Sequence, residues 1–461
     1  MNLFKLSWKN IIHRKLSSGL SILLLASGIS TILITLLTTH QLNEKFERNI
    51  QDIDLVVGAS GSKLQILLCN IFQIDNPTGN ILKSKADAIA DYPMVEKAVP
   101  VSMGDNYQGH RIVGTTPDYI DLFHGKIEEG EMWSKPLDAV VGRSLADKFH
   151  LRLGSNFLGG HGLDLESSHI HANMKYTVVG ILEKNNTVLD NLVLTPLESV
   201  WLVHAGEDHG SEGSLELNTN QNGEKKLTLE DYNIIDSLAE TGLDFDSLIA
   251  AFKGEELVIE DTVKIVKSNE QLLAELDESA KEVTGVLITV KAGSARAKIS
   301  TDRYLNGMEG VSATDVAVEL KQLQQLMSPG TIILQILAYI IIIIAGISLF
   351  VSMFNSLKDR QYEIALMRVM GSSKIKIFGS ILMEGIYLSL IGFIFGWLLS
   401  HIGMHFLSDY LSAEYRYDFS GWVFISAEIW LLAGALLIGI ISAIYPGIKA
   451  YRTDISETLS K

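Results

Sequence analysis

Thr331-Ile-Ile-Leu-Gln-Ile-Leu-Ala-Tyr-Ile340-Ile-Ile-Ile-Ile344-Ala-Gly-Ile-Ser-Leu-Phe350-Val-Ser-Met-Phe-Asn-Ser-Leu357 carries no charged side chain from end to end. A helix needs about 20 predominantly apolar residues to cross the hydrocarbon core of a bilayer. This stretch exceeds that length, with the unbroken isoleucine run 340–344 at its centre. Three more stretches read the same way: residues 16–39, 375–404 and 429–450. The chain therefore predicts four transmembrane helices in a one-plus-three arrangement, separated by the long segment 40–330.

Lysine and arginine placement sets the orientation, because loops retained in the cytoplasm are enriched in both. Lys5, Lys9, Arg14 and Lys15 precede the first span. Lys358, Arg360, Arg368, Lys374 and Lys376 crowd the turn between the second and third, and Lys449, Arg452 and Lys461 close the chain. Segment 40–330 and the short loop 405–428 are acidic by contrast. The expected topology has both termini in the cytoplasm of a bacterial inner membrane and one large domain outside.

Bulk composition agrees. In 461 residues, 47% are hydrophobic and 20% charged, and the mean hydropathy is positive. That is too apolar for an ordinary soluble enzyme and too polar for a pure helical bundle. A formal charge of −16 argues against a nucleic-acid partner, which would favour basic patches. Cys69 is the only cysteine, so no intramolecular disulfide can form. The first apolar run is too long for a signal-peptide core and no small-residue cleavage site follows it, so no cleavable leader is expected.

The outer segment has its own organisation. Residues 40–205 alternate short β-type runs (54–57, 111–113, 139–141, 176–182) with helical stretches (84–90, 144–149), the pattern of an α+β lobe. Residues 206–285 read as an acidic insertion or second lobe: an exposed Gly/Ser/Asn/Glu-rich loop over 210–226, then an acidic helical pattern over 269–283. Residues 286–330 read as the return to the membrane, with a strand at 286–290, a helix over 313–327 and a break at Ser328-Pro329-Gly330. The apolar stretch 66–74 suits either a lipid- or partner-facing element or a buried core helix.

The cytoplasmic turn 358–374 carries the chemistry. From Glu363 to Met370 it can form a short helix offering Ile364, Leu366, Met367 and Val369 as apolar surface, with Glu363 and Arg368 as charges. No phosphate-binding Gly-x-x-x-x-Gly-Lys-[Ser/Thr] loop occurs in the chain, and 58–63 is only a faint echo of one.

Arg360-Gln-Tyr-Glu363-Ile-Ala-Leu-Met-Arg368-Val-Met-Gly371-Ser-Ser-Lys374 resembles the R-x-x-E-I-x-L-x-R-A-x-G-A motif of MacB/FtsX-type (LolC/LolE-type) ABC transporter permeases. The ending from Tyr445-Pro446-Gly447 to Glu457-Thr-Leu459 resembles that family's P-A-x-x-A-x-x-x-D-P-x-E-A-L, with Gly447 and Ile455 departing from the usual Ala and Pro. The segment from Leu6 to Lys15 resembles the amphipathic helix before the family's first span. The resemblance implies a non-enzymatic permease subunit, present as a homodimer or a heterodimer with a similar permease, above two cytoplasmic ABC ATPase subunits. It implies that Arg360, Glu363, Ile364, Leu366, Met367, Arg368 and Gly371 couple ATP hydrolysis to mechanical movement of the outer domain. The work done would be extraction of lipoproteins or lipids, or export through a periplasmic adaptor. The division-type members of the family suggest an alternative, a signalling module that regulates a partner such as a cell-wall hydrolase.

Two further features are candidate sites. Glu384 falls inside the third span, where an acid is costly and marks a functional position by default. It reads as a coupling residue or as a side chain reaching back to the interface. His161, His169, His171, His204 and His209 crowd one short region of the outer lobe. Three or four imidazoles would satisfy Zn²⁺, which would make the domain a zinc-binding receptor; scattered surface histidines are the plainer reading. The chain lacks a His-Glu-x-x-His motif, and so the signature of one class of zinc hydrolase.

Overall fold

The computed structural model describes residues 7–9, 11, 13, 15–161, 170–208, 273, 276–291, 295–415 and 419–452. The chain divides into two compact units, residues 1–48 with 318–461, and residues 49–317. It enters the second unit from helix α1 (Lys15–Asn49).

That unit is built from β1 (Leu55–Ala59), α2 (Lys63–Asn70), β2 (Ile81–Leu82), α3 (Lys83–Ala90), β3 (Val95–Tyr107), β4 (His110–Thr115), α4 (Asp118–Leu122), β5 (Ile127–Gly130) and β6 (Asp138–Val141). It continues with α5 (Arg143–Phe149), β7 (Asn156–His161), β8 (Ile170–Leu182), β9 (Val193–Pro196), α6 (Leu197–Asp208), β10 (Glu282–Val283), β11 (Gly285–Val290), α7 (Ala295–Leu305) and β12 (Val311–Asp315). Ten strands form one mixed sheet in the order β12-β1-β11-β3-β4-β9-β6-β8-β5, with β7 bridging β3 and β8. The β4/β9 and β6/β8 pairs are parallel and the rest antiparallel.

The segment expected to lead back to the membrane supplies the middle of this sheet. β11 is hydrogen-bonded to β1 on one side and β3 on the other. Its Gly-Val-Leu-Ile-Thr-Val sequence is almost wholly buried, as a near-continuous apolar run in a strand covered on both faces should be. Residues 313–315, expected to start a helix, instead end β12. Ala313 pairs with Val57, and the ladder to β1 outweighs local helix preference. The acidic helical pattern proposed for 269–283 fails at its described end, where Glu282 and Val283 pair with Leu82 and Ile81. The rest of that pattern, except residues 273 and 276–281, and the loop 210–226 lie outside the described residues.

Two apolar cores divide the sheet along its strand order. One gathers Leu55, Val57, Val286 and Ile288 with Ile89 and Leu305. The other gathers Ile112, Val141, Leu145, Val178 and Val193. The apolar stretch 66–74 takes the buried alternative: Ile66, Leu67, Cys69, Ile71 and Phe72 are all inside. Burial pushes the Cys69 thiol up, with the nearby Arg111 charge pulling the other way.

The bundle unit consists of α1 with α8 (Val316–Asp359), α9 (Gln361–Val369), α10 (Lys374–Tyr415) and α11 (Ala427–Tyr451). Among the described residues, α1, α8, α10 and α11 are the helices long and apolar enough to cross a membrane, and each contains its expected span. α8 runs through Ser328-Pro329-Gly330 without a break. A proline removes one backbone hydrogen bond; membrane helices tolerate it where side chains re-engage backbone groups, and here the Thr331 hydroxyl donates to the Ser328 carbonyl at 2.9 Å.

Small residues set the helix crossings. A Cβ at Gly385 of α10 would lie 2.5 Å from the Gly439 carbonyl of α11, and one at Gly396 would lie 2.7 Å from the Ala26 carbonyl of α1. Hydroxyls tie α1 to α8, Ser17 to Ser352 at 2.7 Å and Ser21 to Ser348 at 3.2 Å. At the other end of the bundle Gln41 of α1 exchanges two hydrogen bonds with the Ser420 backbone. Nearby, the Glu428 carboxylate accepts from the Trp397 indole at 2.9 Å.

Candidate coupling site

α9 is a nine-residue helix held between α8 and α10. Its two faces differ sharply. Ile364 and Ala365 are 4% and 1% exposed, whereas Tyr362, Leu366, Val369 and Met370 are 62%, 44%, 60% and 70% exposed. Positions 362, 366, 369 and 370 fall on one stripe of a helix with 3.6 residues per turn. Ile364 packs with Leu349, Leu357, Ile377 and Ile381, and Met367 lies half-buried against the same cluster. The N-terminal segment reaches this place too. Ile11 is buried in the same cluster, and the Ser7 hydroxyl donates to the Ser380 carbonyl at 2.9 Å.

Both ends of α9 are fixed. At its C-terminus the Ser372 amide donates to the Met367 carbonyl and the Gly371 amide to the Arg368 carbonyl, each at 3.0 Å. That pair of bonds is the Schellman arrangement, which needs a residue at positive φ between helix and exit. Gly371 supplies it at φ +96°. At the N-terminus Arg360 is the capping residue, and its guanidinium lies 3.2 Å from the Glu363 carboxylate. The same guanidinium lies 3.6 Å from the buried carboxylate of Glu384 on α10. The guanidinium offsets the cost of an acid buried among apolar helices. Glu384 therefore joins the helix entrance to the middle of the bundle, and the three residues Arg360, Glu363 and Glu384 form one charged chain.

Of the residues read from sequence, Leu366 and Val369 are on the exposed stripe, Glu363 is exposed beside it, and Ile364 is the anchor beneath. Tyr362 and Met370 were not singled out, although their spacing to Leu366, four residues each way, carries the signal.

His161 ends β7 in register with Asp105 of β3, and His171 is the second residue of β8. His204 lies on α6, its Nε2 3.0 Å from where a Cβ on Gly104 would stand. His169 and His209 lie outside the described residues. Among the described residues no group of three His, Cys, Asp or Glu is placed to hold a metal ion.

A sequence model of the FtsX-like permease C-terminal region matches residues 335–455. A second model, the MacB-like periplasmic core domain, matches residues 18–225. The chain belongs to the MacB/FtsX-like family of ABC transporter permeases. The first match spans most of α8 and all of α9 and α10 to the end of α11, so this permease carries the α9 stripe, the Gly371 cap and the Arg360–Glu384 pair within the family's C-terminal region. Two solved structures are similar at low identity. The periplasmic region of MacB from Actinobacillus actinomycetemcomitans is 10% identical, with a TM-score of 0.31, over 61% of this permease and 98% of that chain. The extracellular domain of the noncanonic ABC-type transporter YknZ from Gram-positive bacteria is 12% identical, with a TM-score of 0.26, over 57% of this permease and 98% of that chain. No curated protein matches the sequence.

Proposed function

We propose that this permease docks a cytoplasmic ABC ATPase on the exposed stripe of α9 and passes the motion of ATP-driven closure into its own helices, so that the extramembrane unit does mechanical work. ATP is bound by the partner, and this chain contributes no nucleotide site. The observation that carries the reading is the two-faced α9: an exposed apolar stripe of Tyr362, Leu366, Val369 and Met370 beside Glu363, on a helix fixed at both ends. A knob that transmits force must be rigid relative to its own subunit and apolar toward its partner. The Schellman cap and the Arg360–Glu384 contact supply the first property and the stripe supplies the second.

The positive-inside pattern supports placing α9 and both termini in the cytoplasm of the inner membrane. The functional unit is then a homodimer, or a heterodimer with a similar permease, over two ATPase subunits. Its outer domain acts on a lipoprotein, a lipid or an exported substrate, directly or through a periplasmic adaptor.

The test is ATP turnover by the reconstituted complex. Leu366→Asp with Met370→Asp abolishes co-purification of the ATPase, while the permease still inserts and elutes as a single species. Glu384→Gln leaves the ATPase bound but lowers substrate-stimulated turnover. Full turnover in the double variant would remove the stripe from the mechanism.

A further inference from the structure

The turn between α10 and α11 is pinned by three helices. Gln41 of α1 exchanges two hydrogen bonds with the Ser420 backbone. Glu428, in the first turn of α11, accepts from the Ile425 amide at 3.0 Å and from the Trp397 indole of α10 at 2.9 Å. The third tie is His401 of α10, whose Nδ1 lies 2.6 Å from the Gly421 carbonyl. A Cβ at Gly421 would stand 2.7 Å from the His401 carbonyl and 2.8 Å from the His405 nitrogen, so the turn lies directly on the α10 backbone. The coupling reading leaves His401 unused. It is fully buried in a stretch expected to cross the membrane, where an ionisable side chain is costly and marks a functional position.

The groups around the ring suit a cation. A carbonyl can only accept, so Nδ1 carries a proton. On the other side Nε2 faces the Glu428 carboxylate at 3.7 Å and has no hydrogen-bond partner among the described residues. A neutral ring sets the Nε2 lone pair against an acceptor, whereas a second proton turns the contact into a charge-assisted pair. Three aromatic rings complete the surroundings. Trp397, Phe424 and Trp422 have centroids 4.7, 5.4 and 6.1 Å from that of His401, and aromatic faces at such distances attract a cation. The other ionisable groups nearby are His405, one turn further along α10, and Lys45 of α1, whose ammonium lies 5.8 Å from the Phe419 ring centre. Neither is a partner of His401.

We propose that His401 and Glu428 form a proton-binding site that fastens the α10–α11 turn. With the proton on Nε2, the imidazolium holds the Gly421 carbonyl through Nδ1 and the Glu428 carboxylate through Nε2, and one side chain joins α10, the turn and α11. When that proton leaves, a buried lone pair and a buried carboxylate face each other, and the turn gives way. The fastening is therefore present at low pH and lost as pH rises. Imidazole is the side chain whose charge changes between about pH 5 and 8. On the topology proposed above the turn lies outside the membrane, and the site then answers to the pH there; the pair forms in either orientation.

The test is hydrogen exchange of the full-length permease in detergent, from about pH 5 to 9. It is read by mass spectrometry on peptides covering 420–426 and corrected for the intrinsic pH dependence of amide exchange. Protection of the turn falls by about tenfold or more as pH rises. His401→Gln and Glu428→Gln are each less protected at the acid end and flatten the pH step, and His405→Gln keeps it. Elution as a single species shows that each variant is folded; if His401→Gln does not elute so, Glu428→Gln carries the same comparison. Protection in the parent that stays constant across the range, or a pH step undiminished in the variants, would overturn the site. The readout involves this chain alone, so it stands apart from any failure of the ATPase reading.

Discussion

In the extramembrane unit β1 and β11 meet through Leu55, Val57, Val286 and Ile288, large side chains that exclude water. In the bundle α10 and α11 meet where Gly385 faces Gly439, with Ser389 and Ala443 beside them. The difference follows from the solvent. In water, burying an aliphatic side chain contributes about 1.5–3 kcal/mol, so large residues are stabilising wherever they fit. Against lipid that gain disappears, and close backbone approach and interhelical hydrogen bonds remain. The bundle accordingly uses glycines and the Ser17–Ser352 and Ser21–Ser348 contacts, while its isoleucines at 333, 336, 340 and 343 stay exposed on α8.

The contrast can be broken at either side, and the bundle should break harder. Gly385→Leu has no room, because its Cβ already meets the Gly439 carbonyl. Size-exclusion chromatography is expected to show loss of the monodisperse species, with β-sheet circular dichroism retained. A monodisperse variant would show that the crossing can open. In the other unit Ile288→Ala should cost about 2–5 kcal/mol, read as a lower urea midpoint for the sheet transition with the helical signal unmoved.

A third effect is confined to the sheet unit. Tyr119 and Tyr176 are fully buried, and burial raises both pKa values, Tyr176 with help from Asp105. A folded-state pKa above the unfolded value of about 10 means that the unfolded chain releases its proton first. Stability is therefore intact below about pH 10 and falls above it, by about 1.4 kcal/mol per pH unit per tyrosine. Thermal melts from pH 8 to 11 check this, and Tyr119→Phe should shallow the decline. Tyrosinate absorbance growing in at ordinary pH for these two residues in the folded protein would contradict it. The smallest effect belongs to Gly371→Ala, which places a Cβ at φ +96° and should cost about 1 kcal/mol. Faster amide exchange at positions 371 and 372 is the measurement.

The same contrast explains what the sequence could reveal. The four spans were legible because lipid demands long uninterrupted apolar runs, and the strands at 111–113, 139–141 and 286–290 were legible from their β-branched residues. What failed depends on partners distant in the chain. Ala313 is a strand residue because Val57 is opposite it, and Val283 because Ile81 is. No local pattern records that β11 sits between β1 and β3. In the candidate coupling site, the motif from Arg360 to Gly371 was readable, but the burial of Ile364 and the exposure of Tyr362 and Met370 depend on which face meets α8 and α10. The link from Arg360 to Glu384 crosses from one helix to another, and only folding reveals it.

Site-specific photo-crosslinking in native membranes tests the account most directly. A photoreactive residue at position 366 should capture an ABC ATPase subunit, and one at the buried position 364 should not. Capture at 364 alone, or capture of a non-ATPase partner at 366, would contradict the assignment of α9 as the coupling helix.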